Sequence, residues 1–362
     1  MTLTFLVFIF VISILVLVHE LGHFLTAKKL GIKVEEFGLG LPPRLIGIQK
    51  GETIYSINAL PIGGFVKLFG EEGTEGDPQP TTHNLQLFRR AFFARPAWQR
   101  AVVLLAGVAM NFLLAITIIS FLFTQGVMVP TDKVTIEKVE QGSPAEEAGL
   151  KVNDVIKEFE VRGSRFEEIK SAERLIEITK EYLGEEIELI VVRGEEEMTV
   201  KITPRQEYPE GQGPMGIAIT DFEERVYPWY QAPFLGTNEA FKLSWALVKG
   251  IGQTLWRLIT FQSVKGEVAG PVGIAQLTGK AVKFGKMAVL ELLGLLSLNL
   301  AVINILPFPA LDGGRLLFVG IEAATGKKIR AKWEKITHQI GMAVLLALIF
   351  LVTVNDVLRL LR

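Results

Sequence analysis

The sequence predicts a polytopic α-helical membrane protein with four transmembrane helices, a membrane-associated β-region and one inserted α+β domain. Three observations predict it. The chain has 362 residues, 49% of them hydrophobic, and a mean hydropathy of +0.36, too apolar for an ordinary soluble enzyme of that size. The apolar residues gather in four stretches nearly free of charge, Leu3–Val18, Ala101–Thr131, Leu292–Leu311 and Gln339–Asn355, and a bilayer core needs about 20 apolar residues in a helix. Between the second and third stretches lies a charged region of soluble character.

In chain order, residues 1–27 are expected to form the first span. It has no basic leader and no small-residue cleavage site, so it reads as a retained helix and not as a signal peptide. Residues 28–97 form a loop with short β-like runs, Lys33–Leu39, Thr53–Leu60 and Phe65–Phe69, the last following Gly63-Gly64. Gly70–Thr82 is polar and reads as a flexible loop. The second span occupies 98–126 and the inserted domain 127–207. Within that domain Val134–Val139 and Asp154–Val161 read as strands, Ala145–Gly149 and Glu173–Tyr182 as helices, and Ile187–Val192 with Met198–Ile202 as a hairpin.

Residues 208–286 read as a linker. Its apolar part, Phe241–Phe261, carries Lys242, Lys249 and Arg257, and three cations are costly inside a bilayer. With Trp245 and Trp256 at near-helical spacing, an amphipathic helix at the interface is preferred to a fifth span. The third span is expected at 287–314, a second polar loop at 315–336 and the fourth span at 337–362. Both short loops are rich in Lys and Arg: Lys28, Lys29, Lys33, Arg44, Lys50, Lys67, Arg89, Arg90, Arg95 and Arg100 in one, Arg315, Lys327, Lys328, Arg330, Lys332 and Lys335 in the other. The positive-inside rule makes both cytoplasmic and leaves the insertion and both termini outside.

The formal net charge of −1 and the lack of a basic stripe argue against nucleic acid as a partner. With no Cys in the chain, disulfides and thiolate chemistry are excluded.

The chemistry concentrates at His19-Glu20-Leu21-Gly22-His23, an H-E-x-x-H pattern at the end of the first span. On a helix, positions i and i+4 share a face, so both imidazoles can reach one Zn²⁺ with Glu20 beside its water. The chain has four His; the other two, His83 and His338, stand alone and read as structural. A zinc protease needs a third protein ligand and an open fourth position. Asp312, in the run Asn304-Ile-Leu-Pro307-Phe-Pro309-Ala-Leu-Asp312-Gly-Gly314, is the candidate, because an acid at membrane depth is expensive without a partner. Pro307 and Pro309 break the helix and Gly313-Gly314 allow a tight turn, so the carboxylate can be aimed inward. His19 lies about 24 Å along its helix from Leu3 at 1.5 Å per residue. Asp312 sits at the far end of a span running the same way, so the two halves of the site meet at one depth.

The pairing of this H-E-x-x-H with N-x-x-P-x-P-x-L-D-G resembles the site-2 protease family, in its bacterial RseP-like branch. Gly63–Lys67 is similar to that family's membrane-associated β-region, Gly107–Asn111 to its G-x-x-x-N, and Gly270–Ile274 to the segment before its third span. Gly142–Ile156, GSPAEEAGLKVNDVI, resembles the signature of bacterial PDZ domains, and one such domain stands where the Gram-negative form has two.

The resemblance implies an intramembrane zinc metalloprotease of a bacterial cytoplasmic membrane, with His19, His23 and Asp312 as ligands and Glu20 as catalytic base. Asn111, Asn304, Pro307, Pro309, Gly63 and Gly64 are implied to hold substrate or orient ligands; for Asn111, gluing two helices together is an equal reading. Implied substrates are transmembrane segments, such as those of membrane-bound anti-sigma factors or signal-peptide remnants, after an earlier cut. The competing classes are a PDZ scaffold with a degenerate site, against which the intact Glu20 speaks, and a proton-relaying transporter, which predicts internal repeats.

Overall fold

The structure, a computed structural model, describes residues 2–71, 85–161, 166–209, 211–260, 270–327, 329 and 331–360. Most of the polar loop expected at 70–82 lies outside the described residues, as do His83, Phe261, Lys328 and Arg330. The described elements, in order, are α1 (Thr2–Lys29), β1 (Val34–Lys50), β2 (Thr53–Leu68), α2 (Leu85–Arg89), α3 (Ala97–Gln125), β3 (Val127–Val139), α4 (Pro144–Glu147), β4 (Val155–Val161) and β5 (Glu167–Glu168). There follow α5 (Ala172–Glu181), β6 (Ile187–Arg193), β7 (Glu196–Ile202), β8 (Ile217–Arg225), α6 (Ala232–Ile259), α7 (Pro271–Phe284), α8 (Lys286–Ile305), α9 (Asp312–Thr325) and α10 (Ala331–Leu360). They form two compact units, Met1–Leu122 with Trp229–Arg362, and Phe123–Pro228.

In the first unit, α1, α3, α8 and α10 are the helices among the described residues long and apolar enough to cross a membrane. The shortest, α8, has 20 residues and so spans about 30 Å, one hydrocarbon core. The third span ends sooner than expected. Leu306 precedes Pro307 and is extended, with ψ 141°, because a proline ring disfavours helical backbone in the residue before it. The expected 287–314 span is therefore corrected: it stops at Ile305, and Asp312 opens the separate helix α9.

In the linker, the first half of α6 runs antiparallel to α3: Gly236 abuts Ser120, Ala240 is buried with Ala115 and Leu298, and Phe241 packs on Phe112 with ring centroids 5.1 Å apart. Small residues at these crossings let the backbones approach. Its outer face, with Phe234, Trp245 and Trp256, stays exposed.

The β-region is two long bent strands where three short runs were expected. Residues 36–39 face both Ile54–Ile57 and Gly64–Lys67, so they are the middle of the sheet and the end of β2 is an edge. That edge lies along α1: Ser13 Oγ donates to the Pro61 carbonyl at 3.0 Å. A Cβ on Gly63 would touch Val16, and one on Gly64 would sit 2.9 Å from the Gly38 carbonyl.

The second unit is a sheet ordered β7-β6-β4-β3-β8, with β5 on β4, over a core that includes Ile136, Ile156, Leu175, Ile187 and Leu189. It extends past the expected boundary at 207. β8, read from sequence as linker, pairs with β3 from Val127↔Arg225 to Val139↔Ile217. Its charged half, Asp221–Arg225, hides the alternation that marks a strand. Helix α4 is capped by Ser143, whose side chain accepts from the Glu146 N–H, and carries Pro144 in its first turn.

Candidate metal centre

The buried face of α1 is the stripe Val11, Leu15, His19, His23 and Ala27, with Gly22 beside it, the four-residue spacing of one helix face. That face meets α3 closely. A Cβ on Gly22 would lie 2.3 Å from the Ala106 carbonyl oxygen, and one on Gly107 would lie 2.4 Å from His23 Nε2 and 2.8 Å from His19 Cε1. Two glycines on facing helices thus open the slot the imidazoles occupy.

Each ring is oriented by its other nitrogen. His23 Nδ1 donates to the buried Val103 carbonyl at 2.8 Å, which leaves a lone pair on Nε2. His19 Nδ1 lies 3.4 Å from the Asn111 side-chain amide. Asn111 is fully buried and its Oδ1 has no hydrogen-bond partner. Amide oxygen and nitrogen are assigned from their surroundings, and exchanging them lets Oδ1 accept from His19 Nδ1–H. The Asn111 carbonyl also accepts from Ser297 Oγ at 2.8 Å, joining α3 to α8 at this level.

Asp312 arrives from the first turn of α9. That turn folds back under the end of α8: a Cβ on Gly313 would be 2.1 Å from the Leu306 carbonyl oxygen, and one on Gly314 2.4 Å from that of Phe308. Ala310 takes a positive φ of 84°. Arg100 on α3 pairs with Glu322 on α9 at 2.5 Å, and Arg315 pairs with Glu71, which hold α9 against the rest of the site.

The result is a convergence of three donors. His19 Nε2 and His23 Nε2 are 3.2 Å apart, and Asp312 Oδ2 lies 3.0 Å from the first and 3.3 Å from the second. Among the described residues these three form a group able to hold a metal ion. Asp312 Oδ2 is buried without a hydrogen bond, so lone pairs face one another across the gap. Ligands at 2.0–2.1 Å in a tetrahedron stand about 3.3 Å apart, so the spacing, the donor types and the electrostatics all suit zinc with one position open.

A cavity of about 210 Å³ adjoins the three donors. Glu20 lines it, and its Oε2 accepts from the Val66 N–H of the β2 edge at 3.0 Å. The remaining candidates are placed less centrally. Gly63 and Gly64 lie against α1 above Glu20. Asn304 lies in the last turn of α8, and neither it nor Pro307 lines the cavity. Pro309 packs on Gly341 of α10. Sequence reasoning missed the Val103 carbonyl and the Val66 amide, because backbone groups leave no mark in residue types. It also missed the pairing of Gly22 with Gly107, although Gly107 was visible within G-x-x-x-N.

A model of peptidase family M50 matches residues 7–348. A Fusobacterium nucleatum protein, whose name makes zinc metalloprotease a provisional assignment, is 35% identical over 99% of each chain. Zinc metalloprotease RasP of Oceanobacillus iheyensis is 30% identical over 99% of each, and that of Geobacillus kaustophilus 30% identical over 97% of this chain and 96% of its own length. The motifs on α1 and before α9 thus sit within a match that runs nearly end to end, and this chain belongs to peptidase family M50, the site-2 proteases.

Proposed function

We propose that this zinc metalloendopeptidase cuts peptide bonds within transmembrane segments of other membrane proteins. In this reading His19, His23 and Asp312 hold the zinc and Glu20 moves the protons. The carrying observation is the meeting of three donor atoms within 4.8 Å of one another, two from α1 and one from the first turn of α9, which follows α8; α1 and α8 are long and apolar enough to span a bilayer.

Zinc, when bound, supplies Lewis acidity toward water and the scissile carbonyl. Glu20 takes a proton from the attacking water and returns it to the leaving amine, work that contributes about 10²–10⁴-fold. The Val66 N–H keeps its carboxylate facing the cavity. A helical substrate buries its carbonyls in i to i−4 hydrogen bonds, so the segment must unwind locally before it is cut. The β2 edge beside Glu20 supports strand addition as the way the unwound segment is held. Asn304 at the end of α8, with Pro307 and Pro309 beyond it, is the remaining candidate for holding the substrate backbone.

The Lys- and Arg-rich loops support an active site toward the cytoplasm of a bacterial inner membrane. The second unit, read as a PDZ domain from its Gly142–Ile156 run, serves in this proposal as a filter against bulky ectodomains. Regulated intramembrane proteolysis of a previously trimmed substrate is the matching role.

The test is Glu20→Gln in the purified chain with a model membrane substrate. The variant should keep stoichiometric zinc and lose cleavage by at least about 10²-fold, and it should trap substrate in pulldowns. Cleavage at the wild-type rate would sink the assignment.

A further inference from the structure

Helix α10 contacts the metal centre's supporting turn at two points. The Ala310 N–H donates to His338 Nδ1 at 3.2 Å. Ala310 is one of only two non-glycine residues with positive φ among those described, a backbone state L residues rarely take, and it lies two positions before Asp312. One turn further along α10, a Cβ on Gly341 would lie 2.4 Å from Pro309 Cβ and 2.5 Å from the Pro309 carbonyl oxygen. The helix backbone therefore rests directly on the turn.

The far end of α10 is also pinned. Asp356 is buried, and its Oδ2 accepts from the N–H groups of Gly270 and Gly273 at 3.0 and 2.8 Å, capping α7. The 18 residues from His338 to Asp356 cover about 27 Å, so α10 is held at both ends and its register along the unit is set.

We infer that His338 and Gly341 are positioning residues for the Asp312 carboxylate, acting through the backbone of the Pro307–Leu311 turn. This rests on Asp312 being a zinc ligand. Ala310 combines this hydrogen bond with its positive φ two residues before the carboxylate that meets His19 and His23. The histidine lines the same cavity as the three donors and its Nδ1 accepts from the Ala310 amide, while the group able to hold the metal is His19, His23 and Asp312.

The experiment uses the full chain in detergent, measuring zinc affinity by competition with a chromophoric chelator, the absorption bands of the cobalt(II)-loaded protein, and kcat and KM. His338→Leu, which keeps bulk without an acceptor, should weaken zinc by about tenfold or more, shift the cobalt bands and lower kcat with KM unchanged. His338→Asn places Oδ1 where Nδ1 stood and should restore affinity and spectrum. Gly341→Ala should reproduce the leucine phenotype by lifting α10 off Pro309. Wild-type affinity and spectrum in His338→Leu, or equal defects in His338→Leu and His338→Asn, would overturn the inference. If His338→Leu fails to fold, Gly341→Ala decides, and native zinc affinity there overturns it. Asp312→Ala separates the two readings: zinc retained in that variant defeats the ligand assignment itself, whatever α10 does.

Discussion

Gly107 shows how little space separates the two imidazoles from the neighbouring helix. Its missing side chain is the reason His19 and His23 fit against α3 at all. An added methyl would sit at 2.4 Å from His23 Nε2, inside any tolerable contact, and both partners are backbone-anchored helices. Gly107→Ala is therefore expected to cut zinc affinity by at least about tenfold, the range seen when ligand orientation is lost. Equilibrium dialysis against a buffered zinc series measures it. Asn111, one turn further along α3, belongs to the same residue-level design: its buried amide meets His19 and its carbonyl holds Ser297. Both readings offered by the G-x-x-x-N spacing, helix glue and ligand orientation, thus have a contact behind them.

At the scale of elements, the end of β2 and the hairpin β6–β7 carry the testable consequences. Gly64 lies between the Gly38 carbonyl and the backbone of Leu17, which keeps the sheet edge close enough for Val66 to reach Glu20. Gly64→Val should push the edge off α1, lowering cleavage by about 10²-fold through the loss of an ordered base while zinc content stays at wild type. Unaltered cleavage would remove the β-region from the mechanism. In the second unit, the Asp154 side chain is fully buried and takes two hydrogen bonds from Arg193 at 2.7 Å. These bonds hold the Asp154 carboxyl below its ordinary range, with help from the Lys151 N–H. A carboxyl depressed in the folded state contributes stability that is complete above the unfolded value of about 3.9 and is lost as pH falls from there through the lower folded value. Arg193→Ala should lower stability at pH 7 by leaving the buried Asp154 carboxylate without its partner, and the deficit should shrink as pH falls from about 5 toward 2. Melting of the second unit followed by tyrosine fluorescence across that range checks both statements.

On the scale of the whole molecule, hydrolysis is proposed at membrane depth, and the second unit is proposed to filter what approaches. A substrate carrying a large folded ectodomain should be cut slowly by the intact chain, and trimming that ectodomain to a short tail should raise the rate by at least about tenfold if the second unit acts as a filter. Equal rates for long and short ectodomains, read from the appearance of product in proteoliposomes, would rule the filter out.

Composition and spacing alone determined the four apolar helices, the inserted domain and the two motifs, because hydropathy and i, i+4 periodicity are local properties written in residue types. Asp312 was legible as a candidate for the opposite reason: an acid beside an apolar span has to be explained. What local pattern could not supply came from long-range packing. The early end of α8, the reach of β8 back to β3, the descent of α6 along α3 and the seat of α10 on the Asp312 turn all depend on which surfaces meet. So do the carbonyl of Val103 and the amide of Val66, since every residue carries such groups and only the fold decides which of them face the site.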